Sequence, residues 1–247
     1  MRAETRRQLK QDKFSRTTIQ LAEQSVHWSA EHKSKLIAGG IVLAAIAAIV
    51  FGSWYYVDRQ DEKASADFSK AAQVLSAPVR PAGMPPQPGF PSYASAKERA
   101  ADAHKQFQEI IDNYPHSNAA KFARYFLGVT SADMGDYAAA ERDLKEAASG
   151  RRYLVLPDKN LSSLARLALA SVYLNNGRTK DAIEIYKDLA QNPTDTVAKP
   201  TAEIGLAEAY QAAGMSAEAK KEYERIQKES PSGPAGQIAA ERLEAMK

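Results

Sequence analysis

The sequence contains no cysteine among its 247 residues. Disulfide bonds, thiolate zinc sites and thiol nucleophiles are therefore excluded, so packing alone must stabilise the folded chain. No H-E-x-x-H motif, glycine-rich phosphate loop or nucleophile elbow is present. The few histidines are widely spread along the chain: His27, His32, His104 and His116. These absences predict a protein that is not an enzyme, with no metal, no other cofactor and no small-molecule substrate.

The positive charge is concentrated at the N-terminus. Residues 1–35 carry eight Lys or Arg and four Asp or Glu, a net charge of +4, whereas the whole chain has +3. The remainder is close to neutral, so the basic composition is no sign of a nucleic-acid surface, and we expect no nucleic-acid partner. A weak apolar stripe in this basic tail indicates either a short interfacial helix or a solvated segment.

A run of 22 uncharged residues, 36–57, follows the tail. A helix of that length spans roughly 33 Å, close to the roughly 30 Å of a bilayer hydrocarbon core. The run ends in Trp54, Tyr55 and Tyr56, and aromatic rings favour the headgroup region. We therefore predict one transmembrane helix in contact with the lipid bilayer. The basic tail predicts a cytoplasmic N-terminus and a C-terminal domain across the membrane.

A cleavable signal peptide is the alternative interpretation of the same run. The long tail and the aromatic end argue against a cleavage site and favour a retained anchor. Small residues let two membrane helices approach closely, so the glycines of the run are candidate contacts with another membrane helix, although glycine is also merely tolerated in spans. These candidates are Gly39, Gly40 and Gly52.

Residues 58–75 contain no helix breaker and predict an outward helix, the first helix of repeat 1, continuous with the membrane helix or restarted after a kink. Residues 76–95 hold six of the twelve prolines and predict an extended Pro-rich loop. Its P-x-x-P spacings are typical of a spacer or of a ligand for an aromatic groove.

From residue 96 to 247 the pattern is helical and repeats. Four segments share a small alanine followed four residues later by a large residue, at intervals of 37, 42 and 37 residues. Helical patterns that end at Gly135, Gly177 and Gly214 precede the last three segments. Glycine at a helix end supplies the left-handed conformation, and the small–large pair lets antiparallel helices pack closely. The four pairs are Ala103 and Phe107, Ala140 and Leu144, Ala182 and Tyr186, and Ala219 and Tyr223.

This pattern resembles the tetratricopeptide repeat. Unit two departs from it at Ser131, where tyrosine is expected, and at Arg152, where proline is expected, while the Pro-rich loop splits unit one. The predicted fold class is all-α: one transmembrane helix, then an α-solenoid of about four tetratricopeptide-like hairpins with a capping helix over 234–246. Unit four matches best, through Leu206, Ala207, Tyr210, Gly214, Ala219, Tyr223, Ile226 and Pro231.

A solenoid of this kind presents a concave face lined by the first helix of each unit. The repeat phase predicts ten lining residues, which we name the candidate groove. Phe122 and Tyr125 are candidate anchors, because aromatic side chains often dominate interfaces, but they could equally pack under the loop or the first helix. The ten are Phe122, Tyr125 and Val129, then Leu164, Leu167, Ser171 and Leu174, then Ile204, Glu208 and Gln211.

The whole layout resembles the ancillary subunits of the bacterial Sec translocon, which have one inner-membrane span and a periplasmic tetratricopeptide domain. The residues compared are Trp28–Lys33 before a glycine-containing span ending in Trp54–Tyr56. The resemblance implies translocon subunits, a periplasmic chaperone and unfolded polypeptide segments as partners, and a location in the bacterial inner membrane.

A second resemblance rests on residues 107–117 and on Phe126-Leu127-Gly128. These are similar to periplasmic repeat proteins that coordinate cell division and to repeat lipoproteins of outer-membrane assembly. Those families have a cleaved signal or a lipid-modified cysteine; this sequence has no cysteine, and we expect the run 36–57 to be retained. The resemblance implies an envelope-organising scaffold with a passive anchor, which stays open as the alternative function.

Overall fold

The computed structural model describes residues 33–81, 83–85, 92–149 and 158–246, with backbone alone for residues 33–40, 53, 54, 56 and 57. The N-terminal tail up to residue 32, loop residues 86–91 and Arg152 lie outside this set. The chain divides into two compact units between Asp58 and Arg59.

Within the described residues the secondary structure is nine helices and one isolated β-bridge, between Val79 and Tyr93. This confirms the prediction of an all-α, solenoid-like fold. The helices are α1 Lys33–Ser76, α2 Ala96–Asn113, α3 Asn118–Asp133, α4 Tyr137–Ser149, α5 Lys159–Asn175, α6 Thr179–Gln191, α7 Lys199–Ala212, α8 Ser216–Glu229 and α9 Pro234–Ala245.

The first unit contains the N-terminal part of α1. The described side chains of residues 41–52 are all exposed, and the large ones among them are aliphatic or aromatic. Among the helices of the described residues, none is both long and apolar enough to cross a membrane. The predicted span 36–57 extends beyond the described side chains in both directions, so the transmembrane helix stays a prediction.

The second unit is a series of antiparallel helix pairs. Three of the turns between paired helices contain a glycine with positive φ: Gly135 at 85°, Gly177 at 73° and Gly214 at 74°. The residue after each glycine donates its backbone N–H back across the turn, for example Arg178 to the Tyr173 carbonyl oxygen at 2.8 Å. These bonds satisfy carbonyls that a helix end leaves free, which is why glycine ends α3, α5 and α7.

The repeated alanines are fully buried within the helix pairs. Ala103, Ala140, Ala182 and Ala219 are all 0% exposed. The large residue one turn later fills the space between helices, and Phe107, Leu144 and Tyr223 are each 0% exposed while Tyr186 is 4% exposed. The small–large spacing of the sequence thus corresponds to the buried face of α2, α4, α6 and α8.

Repeat 1 is formed by the C-terminal part of α1 with α2. Ala64 and Ala71 of α1 are 0% exposed in a core shared with α2 and α3. Tyr114 donates its hydroxyl to Asp67 at 3.1 Å, and the Asn118 backbone N–H at the start of α3 donates to Asp61 at 3.1 Å. The C-terminal part of α1 is therefore hydrogen-bonded both to the end of α2 and to the start of α3.

The ends of the Pro-rich loop are tied together. The Arg80 backbone N–H donates to the Tyr93 carbonyl at 2.8 Å, and the Tyr93 N–H donates to the Pro78 carbonyl at 3.0 Å. The Tyr93 hydroxyl donates to Asp102 on α2, and burial with this hydrogen bond raises the pKa of Tyr93 to about 12. The loop thus leaves and returns at one point beside α2.

Gly205 should not tolerate a side chain. A Cβ at this position would lie 2.3 Å from Cε1 of Tyr186, whose side chain is only 4% exposed. We expect Gly205→Ala to lower the free energy of unfolding by about 1–3 kcal/mol, the usual range for overpacking. Urea denaturation followed by circular dichroism measures it. In the double variant with Tyr186→Leu the loss should be smaller than the sum of the two single losses; additive losses would show that this contact is not the cause.

Candidate interaction surface

The first helices of the repeats form an inner layer. Helix α3 contacts α5, α5 contacts α7, and α7 contacts α9. In the part of the chain that the structure describes, no such contact joins α4 to α6 or α6 to α8. Helices that touch on one side and separate on the other produce curvature, so α3, α5 and α7 lie on the concave side.

On α3 the three groove residues differ in exposure. Phe122 is 42% exposed, whereas Tyr125 and Val129 are half-buried and pack at the edge of the core of repeats 2 and 3. Burial raises the pKa of the Tyr125 hydroxyl. Phe122 also contacts the first helix, because its ring lies edge-on to Phe68 with centroids 6.4 Å apart. The sequence left two roles open for Phe122, an interface anchor or a residue packed under the first helix. Its ring packs on α1 and is still 42% exposed, so both roles remain compatible with its position.

On α5 the groove residues are half-buried leucines and one exposed serine. The side chains of Leu164, Leu167 and Leu174 are each partly exposed to solvent. Leu167 and Leu174 also pack against the central core. The Ser171 hydroxyl lies 3.2 Å from the Tyr186 hydroxyl. This stretch is the aliphatic middle of the inner face.

On α7 the inner face becomes polar toward the helix end. Ile204 is half-buried beside the C-terminal core. Glu208 accepts a hydrogen bond from Arg242 of α9 at 3.1 Å, and exposed Gln211 accepts from the Tyr223 hydroxyl at 3.5 Å. The structure thus brings all ten candidate groove residues onto inner helices and buries none of them completely; their role in binding stays a prediction.

The aromatic end of the inner face is larger than the sequence pattern indicated. Phe126 stacks on Phe107 with centroids 5.0 Å apart and lies 5.6 Å from Phe68. Tyr125 meets Phe126 edge-on at 5.0 Å. Phe68 and Phe126 were not among the ten predicted groove residues, because the repeat phase selected Phe122, Tyr125 and Val129 on α3 and no residue of α1. Together these rings join repeats 1 and 2.

Four ion pairs hold charged side chains of the inner helices. Two of these pairs join an inner helix to the outer helix of the same repeat, one lies within α7, and one joins α7 to α9. The inner face therefore offers an apolar surface with little unbalanced charge. The pairs are Arg124 with Glu146 at 3.1 Å, Arg166 with Asp188 at 2.6 Å, Lys199 with Glu203 at 3.2 Å and Arg242 with Glu208 at 3.1 Å.

A cavity of about 370 Å³ lies between α7 and α9, beside Ile204. Its walls include Ile238, which is 41% exposed. The sequence pattern predicts only a solvating cap over 234–246, so this cavity was missed. The available signal was the proline in the first turn of both helices, Pro200 and Pro234, which fixes two helix starts side by side.

Repeats 2 and 3 are joined by a cluster around Glu141 of α4. Glu141 accepts hydrogen bonds from Lys145 at 2.7 Å, Arg178 at 2.8 Å and the Tyr173 hydroxyl at 3.0 Å. Lys145 first, then Arg178 and Tyr173, lower the pKa of Glu141 to about 2 against the opposing effect of burial. Arg178 also lies over the Tyr173 ring, 4.1 Å from its centroid.

This cluster predicts acid-sensitive stability. Because the folded pKa of Glu141 lies below the ordinary 4.5, its contribution is complete above that pH and is lost as the pH falls toward 2. At neutral pH Glu141→Gln should lower the free energy of unfolding by about 1 kcal/mol, since Lys145 and Arg178 are solvated. The difference from the native chain should shrink between pH 4.5 and 2. Urea titrations across this range measure it, with exposed Glu184→Gln as control; a pH-independent difference would refute it.

The structure describes the surroundings of one of the three glycines in the predicted span. A Cβ at Gly52 would meet nothing within 4 Å. The surroundings of Gly39 and Gly40 lie outside the described side chains.

Among the described residues, no group of three or more His, Asp or Glu side chains is placed to hold a metal ion.

The helical hairpins and their curved inner layer define a scaffold for protein–protein interaction. The tetratricopeptide repeat-like domain family matches residues 26–247. The chain belongs to this family. No curated protein and no solved structure matches it.

Proposed function

We propose that this protein is a non-catalytic adaptor tethered to the bacterial inner membrane beside the Sec translocon, which passes emerging polypeptides to a periplasmic chaperone. The observation that carries the proposal is the pairing, in one chain, of an exposed apolar helix with a curved interaction scaffold. The envelope-organising scaffold is the competing outcome of the test below.

The tether is supported by the exposure pattern of α1. Between residues 41 and 52 the large apolar side chains are 51–70% exposed and point in every direction around the helix. A helix that is apolar all round must be covered by protein or by lipid. The flanking charge, with a basic tail before residue 36 and acidic residues from Asp58 onward, favours lipid and an N-terminus in the cytoplasm.

The family match supports the tether independently. It begins at residue 26 and so includes the apolar run together with the repeats. The apolar segment is therefore part of the same family unit as the repeat domain.

The adaptor role is supported by the inner face. Its aromatic end and aliphatic middle offer apolar contacts, while the neighbouring charges are internally paired. Such a surface suits unfolded or extended segments with apolar side chains better than a charged partner. The layout of tail, span and repeats resembles ancillary translocon subunits, which is the ground for naming the channel.

Photo-crosslinking in bacterial cells tests this proposal. A photoreactive amino acid replaces Tyr125 in the candidate groove and, in a second strain, Gly40 in the apolar run. Exposed Gln227 of α8, on the outer layer, is the matched control position. Crosslinked proteins are then identified by mass spectrometry.

We expect channel subunits to be captured from Gly40, and nascent secreted chains or a chaperone from Tyr125. Gln227 should capture neither above background. Capture of a division or cell-wall protein at Tyr125, with only lipid at Gly40, would overturn the adaptor and establish the envelope scaffold.

A further inference from the structure

We propose that the cavity between α7 and α9 is a subsite for one bulky apolar side chain of the polypeptide that the candidate groove binds; this rests on the proposed function. The cavity has a volume of about 370 Å³, near the lower end of the roughly 300–1,000 Å³ typical of small-molecule sites. That size suits a single large side chain.

The lining of the cavity selects an apolar occupant. Its walls contain no charged residue, and the apolar part consists of Pro200, Ile204, Pro234, Ala235 and Ile238. Two other described cavities, the clefts beside Lys70 and beside Arg124, are instead lined by several charged side chains. A charged side chain entering it would lose hydration without gaining a partner.

Two hydroxyl groups in the same lining favour a peptide over a lipid chain. Thr201 and Ser230 belong to the cavity wall, and among the described residues neither hydroxyl has a hydrogen-bond partner. Free hydroxyls beside an apolar pocket can bond the main chain of an extended segment while its side chain enters the pocket. An acyl chain has no group that could bond these hydroxyls.

The position of the cavity makes it continuous with the candidate groove. Ile204 belongs to both, and α7 and α9 are successive inner helices. The Arg242–Glu208 ion pair joins the same two helices further along α7 and braces them. Both helices have a proline in their first turn, which fixes the backbone there. This indicates that the pocket is formed before the polypeptide binds, and a preformed pocket lowers the entropy cost of binding.

Fluorescence anisotropy with the full-length protein in lipid nanodiscs tests this inference. The probes are two labelled 20-residue peptides of glycine and serine, one with three spaced leucines and one without. The variants are Ile238→Asp, which places a charge in the cavity, and Ala235→Trp, which fills it. Gln237→Asp is the matched control, an exposed neighbour on α9 that does not line the cavity.

The native protein and Gln237→Asp should bind the leucine peptide equally, whereas each cavity variant should bind it at least tenfold more weakly. The leucine-free peptide should not bind. Because Ile238 is 41% exposed, its replacement should leave the thermal unfolding midpoint unchanged.

Native-like binding by both cavity variants would overturn the subsite and leave the proposed function standing. No binding by the native protein would sink both. If Ile238→Asp instead converts a dimer into a monomer in sedimentation velocity, a second copy covers the cavity and the subsite is refuted.

Discussion

Replacing Phe107 with alanine should lower the free energy of unfolding by about 3–5 kcal/mol, the usual cost of removing a buried aromatic ring. Phe107 is 0% exposed, stacks on Phe126 at 5.0 Å and lies 5.5 Å from Phe68. It is therefore the centre of the contact between α1, α2 and α3. Three helices bound the space that the ring would leave, so we expect a cavity and the cost that goes with it.

Phe122→Ala is the matched control, because Phe122 belongs to the same aromatic group but is 42% exposed. Its loss should cost about 1 kcal/mol or less, as is usual at partly exposed positions. Urea denaturation of both variants gives the two values. Phe122→Ala should nevertheless weaken binding of the leucine peptide. Equal destabilisation by the two variants would contradict the assignment of Phe107 to the core and of Phe122 to the interaction surface.

Placing two arginines in the apolar run, with Leu43→Arg and Ile46→Arg together, should abolish membrane attachment. Each arginine near the middle of a span costs about 2.5–3.5 kcal/mol on insertion scales. The pair therefore costs about 6 kcal/mol, enough to reverse the partition of one helix. Both side chains are more than half exposed, so the repeat unit should fold as before.

Alkaline extraction of cell membranes, followed by immunoblotting, measures this effect. The native protein should remain in the pellet and the double variant should be released. Ser65→Arg, an exposed position later in α1, is the charge control and should stay in the pellet. Retention of the double variant would contradict the membrane tether.

Much of the repeat domain could be predicted from the sequence because its determinants are local. Gly135, Gly177 and Gly214 mark turns whose left-handed geometry only glycine adopts at low cost. Ala103 with Phe107, and Ala219 with Tyr223, are small–large pairs on one helix face. Such signals are only a few residues apart, so periodicity alone reveals them.

The features that were missed depend on contacts between distant residues. Phe68 meets Phe126 across the Pro-rich loop, and Glu141 meets Arg178 across 37 residues. Nothing in the sequence pairs these residues, because many other charged and aromatic side chains share their local pattern. The sequence also left open whether a new helix starts after residue 57, and the helical assignment of α1 covers Lys33–Ser76.

The most direct test of the tethered adaptor is to repeat the Tyr125 crosslink after exchanging residues 36–57 for an unrelated membrane span. Nascent secreted chains should be captured by the native protein and at least tenfold less by the exchanged one, because the span brings the groove to the channel. Undiminished capture after the exchange would contradict the adaptor account and reduce the apolar run to a passive anchor.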